Sequence, residues 1–329
     1  MMTISLCMIV RDEEPVLARC LDSVQGVADE IILVDTGSQD RTKEIAARYT
    51  DRIYDFPWQN DFSAARNYSL SLARMDYCFW LDADDVIPEQ SRKALLALKE
   101  TLPPEVDLVM LLYDMGFGPD GTPSCSFFRE RIWRNGAGYH FEGRVHEAVP
   151  LTGNIRRVAI SIEHRKMASV YSRRNLEIYE AMRTEGLPFG PRDQFYYARE
   201  LYYHRQYPEA VEQFLAFLDR PDGWRENQIE ACRILSLCYR ALGREAEEGE
   251  ALLKTLAYDL PRGEVCCDLG QYFYNQGQYA QASWWYRQAL LAEPRAEEGG
   301  FVNPACYGRI PAEGLERCRR TPKPVSFIY

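Results

Sequence analysis

No apolar run in this chain approaches the length of about 20 residues that a bilayer-spanning helix needs. The best candidate, Ile4–Val10, leads straight into Arg11-Asp12-Glu13-Glu14 and has neither a basic flank nor a small-residue cleavage site. Neither a transmembrane segment nor a signal peptide is therefore expected. Basic residues are in deficit: 39 Lys and Arg against 49 Asp and Glu give a formal net charge of −10, which argues against nucleic acid or anionic lipid held by bulk charge. An anionic small ligand stays open, because one divalent cation in a carboxylate site reverses the local sign. The ten cysteines include no C-x-x-C pair, so buried reduced thiols in a cytoplasmic protein are expected rather than a zinc site. No G-x-G-x-x-G and no Walker loop follows the first apolar run, where the sequence reads Arg11-Asp12-Glu13-Glu14 instead. That disfavours a nicotinamide oxidoreductase and a nucleotidyl transferase, both of which want a glycine-rich phosphate cradle there.

The 329 residues suffice for two domains, and a composition of 46% hydrophobic and 27% charged residues excludes disorder and fibre. Over the first ~115 residues, short apolar runs alternate with helical spacing, the pattern of a parallel sheet flanked by helices. Strands are expected at Ile4–Val10, Ile31–Val34, Arg52–Tyr54, Tyr77–Leu81 and Asp107–Tyr113. Helices are expected at Pro15–Val24, Thr42–Tyr49 (capped by Ser38 or Asp40), Phe62–Ala73 and Glu89–Lys99. Between Gly116 and Ile162 the pattern turns to glycine, proline and aromatics with short strand-like runs, which reads as irregular structure; His140 and His146 fall there and His164 just beyond.

From about Tyr171 the chain is helical and rich in tyrosine, and a repeat emerges. Leu269, Gly270, Phe273, Gly277, Tyr279, Ala282, Tyr286, Ala289 and Pro294 take the tetratricopeptide positions. A shift of 72 residues lays Tyr207, Ala210 and Phe214 under Tyr279, Ala282 and Tyr286, and a shift of 34 lays Leu235, Tyr239 and Gly243 under Leu269, Phe273 and Gly277. The middle unit is weaker, with Glu248 where a small residue is expected, and a partial fourth unit is expected in Asn303–Arg320.

Two acidic clusters close predicted parallel strands, where open α/β sheets place ligands. Asp35, before Gly37 and Ser38, can accept the N3–H of a uracil; an ordinary capped turn explains the same residues equally well. Asp82-Ala83-Asp84-Asp85 packs three carboxylates into four residues directly after Tyr77–Leu81. Such crowding is costly unless a cation neutralises it, and alternate carboxylates suit Mg²⁺ or Mn²⁺ bridging to phosphate oxygens. An acidic helix N-terminus is the plainer alternative.

The run Ile4-Ser5-Leu6-Cys7-Met8-Ile9-Val10-Arg11-Asp12-Glu13-Glu14, then Val34-Asp35-Thr36-Gly37-Ser38, Ala65-Arg66-Asn67 and Leu81-Asp82-Ala83-Asp84, resembles family 2 glycosyltransferases of the GT-A fold. With the helical repeats it is similar to the branch holding the sublancin-type S-glycosyltransferases of bacteriocins. The resemblance implies an α/β GT-A sheet domain over 1–168 and an all-α tetratricopeptide-like arm over 169–329, clearest over about 191–296. It implies nucleotide-sugar contacts at Val10, Arg11, Glu13, Asp35, Gly37, Arg66, Asp82 and Ala83, and a metal at Asp84 and His146. Inverting transfer needs a general base facing the acceptor. The segment Tyr139–Glu147 resembles the family's second acidic motif and makes Glu147 the candidate, with Glu142 and Asp114 as competitors. In a strand His146 and Glu147 point to opposite faces, so both reach one site only if the backbone bends. Expected partners are a UDP-linked sugar and a peptide Cys or Ser, or an envelope glycan, with the arm presenting the acceptor or pairing subunits as a homodimer. The rival reading is a repeat scaffold carrying a degenerate sheet domain.

Overall fold

The computed structural model describes residues 2–166, 172–296 and 299–320. The expected junction at 168–169 and the expected helical start near Tyr171 lie outside the described residues. The chain divides into two compact units, Met1–Gly116 with Ser126–Glu185, and Phe117–Cys125 with Gly186–Tyr329.

The first unit is built on β1 (Ile4–Val10), β2 (Glu30–Asp35), β3 (Ile53–Asp55) and β4 (Tyr77–Trp80), which pair in parallel as β3-β2-β1-β4. β1 and β4 read as unbroken apolar runs because both faces are covered, and most of their side chains are fully buried. Helices α1 (Leu17–Ser23), α2 (Thr42–Ala46), α3 (Phe62–Ser71) and α4 (Glu89–Thr101) connect or flank these strands. Asp61 caps α3 by accepting the Ala64 N–H at 2.9 Å, and Asp40 accepts the Thr42 N–H at 2.9 Å. The register aligns Val10 with Asp35 and Asp35 with Asp55, so the carboxyl ends of the first three strands come level.

The sheet continues as β7-β6-β8-β5: β7 (Pro123–Arg134), β6 (Leu108–Phe117), β8 (Ile155–His164) and the two-residue β5 (Asp85–Val86). The stretch 116–162 thus holds a 12-residue strand and most of a 10-residue one, where irregular structure was expected. The misreading has a cause. Phe127–Arg134 interrupts its apolar residues with Arg129, Glu130 and Arg131, a pattern that hides a strand when the charges are buried. The chain's one G-x-G-x-x-G spacing, Gly116–Gly121, falls between β6 and β7 and opens no helix.

The second unit is helical: α6 (Pro191–Tyr203), α7 (Tyr207–Leu218), α8 (Arg225–Ala241), α9 (Glu245–Lys254), α10 (Gly263–Asn275), α11 (Tyr279–Leu291) and α12 (Arg309–Arg320). Gly243 and Gly277 end the first helix of their pairs at φ +71° and +72°, where a side chain would be strained. Tyr286 is buried between two glycines: a Cβ built on Gly270 or on Gly314 would stand 2.6 Å from its ring. Gly314 of α12 thus leaves room on one side of the Tyr286 ring as Gly270 does on the other. In the weak middle unit Glu248 is buried and accepts from Arg240 Nη2 at 2.6 Å, so a charge pair fills the small-residue position. Trp284 and Trp224 are exposed, whereas Trp285 packs on the α10 core. All ten cysteines are free thiols.

Candidate active site

The tips of β1, β2 and β4 carry the expected polar residues, each held differently. Asp35 is buried; its Oδ1 accepts the N–H groups of Gly37 and Ser38, both at 2.9 Å, while its Oδ2 is buried with no partner. Gly37 at φ +109° is a backbone requirement rather than a spatial one, since a Cβ there would meet nothing within 4 Å. The Val10 carbonyl accepts from the Thr36 N–H at 2.9 Å, which ties the two tips together. Asp12, at φ +53°, accepts the Gln39 N–H at 2.7 Å, and its own N–H donates to Ser38 Oγ. Arg11 is exposed and, among the described residues, its ion-pair partner is its neighbour Asp12, at 3.9 Å. Glu13 faces the third tip: burial, then the carboxylates of Asp84 and Asp82, push its carboxyl from 4.5 up to about 7.

Arg66 joins α3 to this cluster. Its Nε donates to Glu147 Oε1 at 2.5 Å and its Nη2 to Asp82 Oδ1 at 2.6 Å, while Nη1 is buried with no partner. The guanidinium lies 4.5 Å from the ring centroid of Trp80, the last residue of β4. Burial alone would raise the Asp82 carboxyl, but Arg66 and Arg131 hold it well below the usual carboxylate range. The neighbouring Asn67 clamps Phe141 at two points, donating to its carbonyl at 2.9 Å and accepting its N–H at 2.8 Å. Arg66 and Asn67 together fix the segment that delivers Glu147.

Behind the acidic turn stands a buried network. Arg131 and Asp85 are both fully buried and paired at 3.1 Å. Asp85 Oδ2 also accepts the Asp82 N–H at 3.0 Å, and its Oδ1 accepts the Tyr113 hydroxyl at 2.8 Å. Tyr113 meets His164 Nδ1 at 2.9 Å, and His164 lies 3.3 Å from Asp84 Oδ1. Burial would lower the His164 imidazole, but hydrogen bonds to Asp84 and Asp85 push it up to about 10. Asp84, Asp85 and His164 thus form the one cluster of metal-binding side chains among the described residues, with potential ligand atoms all within 4.8 Å of one another. With both oxygens of Asp85 taken, Asp84 and His164 are the partly open members. Such a donor set can reach a divalent cation, the imidazole serving as a ligand only once it has given up its proton.

Arg66 thus joins Asp82 to Glu147, Glu13 lies in the field of Asp84 and Asp82, and Asp35 stands at the tip of the neighbouring β2, in register with Val10 and followed two residues on by Gly37. His146 does not join the metal cluster. It sits at φ +52°, stacked on Tyr179 at 6.4 Å, one residue before Glu147; the backbone bends here, and His164 takes the place expected of His146. Ala83 is buried in the sheet core, so its methyl does not face the cleft. Of the competing bases, Glu142 is exposed beside His140 at 3.3 Å and Asp114 accepts from Ser126 Oγ; neither touches Arg66. Sequence reading missed Arg129, Arg131, Tyr113 and Arg174. The usable signal for the first two was charge inside an otherwise apolar run.

Residues 5–148 match the family model described as Glycosyl transferase family 2. The chain is 27% identical over 231 residues to the SPbeta prophage-derived glycosyltransferase SunS of Bacillus subtilis, covering 64% of this chain and 52% of that protein. It is 28% identical over 162 residues to the lipopolysaccharide core biosynthesis glycosyltransferase LpsC of Rhizobium meliloti, covering 46% of this chain and 58% of that one. It is 49% identical over 85 residues to a TPR repeat-containing protein of Synechococcus elongatus, covering 26% of this chain and 21% of that one. The chain thus spans about half the length of the two glycosyltransferases and about a fifth of the repeat protein.

Proposed function

From the match of residues 5–148 to the family 2 glycosyltransferase model, we propose that they form a glycosyltransferase domain of GT-A type whose cleft moves a sugar from a UDP-linked donor to an acceptor nucleophile, with inversion. The observation that carries this reading is a pair of buried, unpartnered atoms of opposite kind, the acceptor Asp35 Oδ2 at the tip of β2 and the donor Arg66 Nη1 on α3. A buried polar atom left unpaired costs about 1–3 kcal/mol, and we read these two as awaiting a donor and an acceptor of one ligand. A uracil N3–H answers Asp35 and a diphosphate oxygen answers Arg66. Val10, Arg11, Glu13 and Gly37 line the base side, and Asp82, fixed by Arg66, stands nearer the ribose.

Asp84 and His164 are the residues that would hold a divalent cation, which supplies charge neutralisation to the departing diphosphate when bound. The chain's own groups do the rest. Arg66 offers its remaining Nη1 as a donor to a diphosphate oxygen, while its charge is shared with Asp82 and Glu147. Glu147, oriented by Arg66, takes the proton of the acceptor as that atom bonds to the anomeric carbon; the carbon–oxygen bond to the diphosphate breaks, and its electron pair leaves with the nucleoside diphosphate. A thiol acceptor needs less from the base than a hydroxyl, because its pKa is nearer neutrality. We read the acceptor as a peptide Cys or Ser, with an envelope-glycan hydroxyl as the second reading because one similar protein is named for lipopolysaccharide core biosynthesis. The helical unit is assigned to presenting that acceptor or to pairing subunits.

Calorimetric titration with UDP and UDP-sugars, with and without Mn²⁺, tests the donor side. Metal-dependent binding abolished by Asp84→Asn and weakened by Asp35→Asn is expected. A protein that binds no nucleotide-sugar would leave the repeat-scaffold reading in its place.

A further inference from the structure

The guanidinium groups around the strand tips are nearly all committed. Arg66 is shared between Asp82 and Glu147, Arg131 is paired with Asp85, Arg129 lies 3.8 Å from Glu130, and Arg11 lies 3.9 Å from Asp12. Arg66 is thus more than neutralised by its own carboxylates, and an incoming diphosphate finds little net positive charge on it. Arg174, the first residue of α5 (Arg174–Thr184), differs: it is exposed and has no ion-pair partner among the described residues.

Its position is nevertheless fixed. The Arg174 guanidinium carbon lies 4.7 Å from the ring centroid of Phe62, and Trp58 packs edge-on against that same ring at 4.8 Å. Phe62 opens α3 one turn before Arg66, so both residues occupy one face of the helix. The charges that act on Arg174 are Glu13, Glu147 and Asp82, which favour its cation, and Arg11, which opposes it. These are the groups of the sugar-transfer cleft. A guanidinium stacked on an aromatic ring keeps its fork of donors in a fixed plane, loses little rotamer freedom on binding, and matches two phosphate oxygens at once.

We propose that Arg174 is a second diphosphate-binding residue of the cleft, presented from the start of α5 on the Phe62 ring and contacting the phosphate oxygens that Arg66 alone leaves poorly neutralised. The proposal rests on the sugar-nucleotide reading, and its test separates the two.

Uridine, UMP and UDP are titrated calorimetrically into the full chain with Mn²⁺, in the parent and in Arg174→Gln, Arg174→Lys and Asp35→Asn. Arg174→Gln is expected to lose about tenfold or more in affinity for UDP with uridine binding unchanged, a charge-assisted contact being of that size. Arg174→Lys is expected to recover part of the loss, since it restores charge without the stacked fork. Asp35→Asn is expected to weaken uridine and UDP alike. The proposal is overturned if Arg174→Gln binds UDP as tightly as the parent, or if it loses uridine and UDP in equal measure. If the parent prefers UDP over uridine and Arg174→Gln keeps that preference, the sugar-nucleotide reading survives without Arg174. If the parent binds none of the three, both fall.

Discussion

Arg66 satisfies two carboxylates with one planar group, and lysine cannot do the same. Replacing it by Lys leaves Glu147 or Asp82 short of a partner in a site where Arg66 and Glu147 side chains are only 7% exposed. Arg66→Lys is expected to cost about 1–3 kcal/mol in urea unfolding and about 100-fold in transfer rate. A rate drop with no loss of stability would separate Arg66 from the Glu147 clamp. Glu13 gives a pH test. Its carboxyl, pushed from 4.5 up to about 7 by burial and by Asp84 and Asp82, binds its proton more tightly folded than unfolded. The associated stability is therefore present below pH 4.5 and is lost as pH rises through about 7. Glu13→Gln should gain on the parent between pH 5 and 8 by about 1–2 kcal/mol after allowance for solvent screening, as read from melts across that window. A gain that does not grow with pH would show that Glu13 is not the group titrating. Asp35 and Asp82 were legible in the sequence because an apolar run that stops dead on a carboxylate marks a strand tip, whereas Arg66 and Glu13 were implied only by the family resemblance. The pairing was not legible: the resemblance makes Glu147 a candidate base, but it lies 81 positions from Arg66 and nothing local joins the two.

At the scale of elements, β7 shows the opposite balance. Its register against β4 sets Ile132 beside Phe79 and Trp133 beside Cys78, and this places Arg131 behind the acidic turn with no solvent to hydrate it. The pair Arg131–Asp85 is costly to bury and costlier to break, because removing one partner leaves an uncompensated charge. Arg131→Met should destabilise the sheet unit by about 3–5 kcal/mol, and Arg131→Met with Asp85→Asn by less, as measured by a double-mutant cycle in urea. If the double variant is no more stable than the single, the pair is not what holds the turn. The same buried charges explain why β7 escaped sequence reading: periodicity assumes that charge faces water. Among the helical repeats only the middle unit, with its buried Glu248, meets that conflict; Gly270, Tyr286 and Gly314 obey one packing rule. A methyl on Gly314 would meet the Tyr286 ring, so Gly314→Ala should cost about 1–3 kcal/mol despite its better helix propensity.

For the whole molecule, the division into a sheet unit and a helical unit governs how ligand binding shows in stability. Each unit has a core of its own: the strands of the first pack around Leu6, Met8, Phe79 and Leu111, and the later repeats around Leu252, Val265, Leu269 and Tyr286. Every group assigned to the nucleotide, Asp35, Arg66, Asp84, Glu147 and Arg174 included, belongs to the sheet unit. A ligand stabilises only what binds it, by about 2.7 kcal/mol at a hundred times its dissociation constant. Scanning calorimetry is therefore expected to resolve two transitions, with UDP and Mn²⁺ raising the one that carries the sheet by several degrees and leaving the other in place. The assignment of peaks is checked with Gly314→Ala, which should lower the unmoved transition alone. Were UDP and Mn²⁺ to shift both transitions equally, the helical unit would be taking part in nucleotide binding, and placing all the donor contacts at the strand tips would be incomplete.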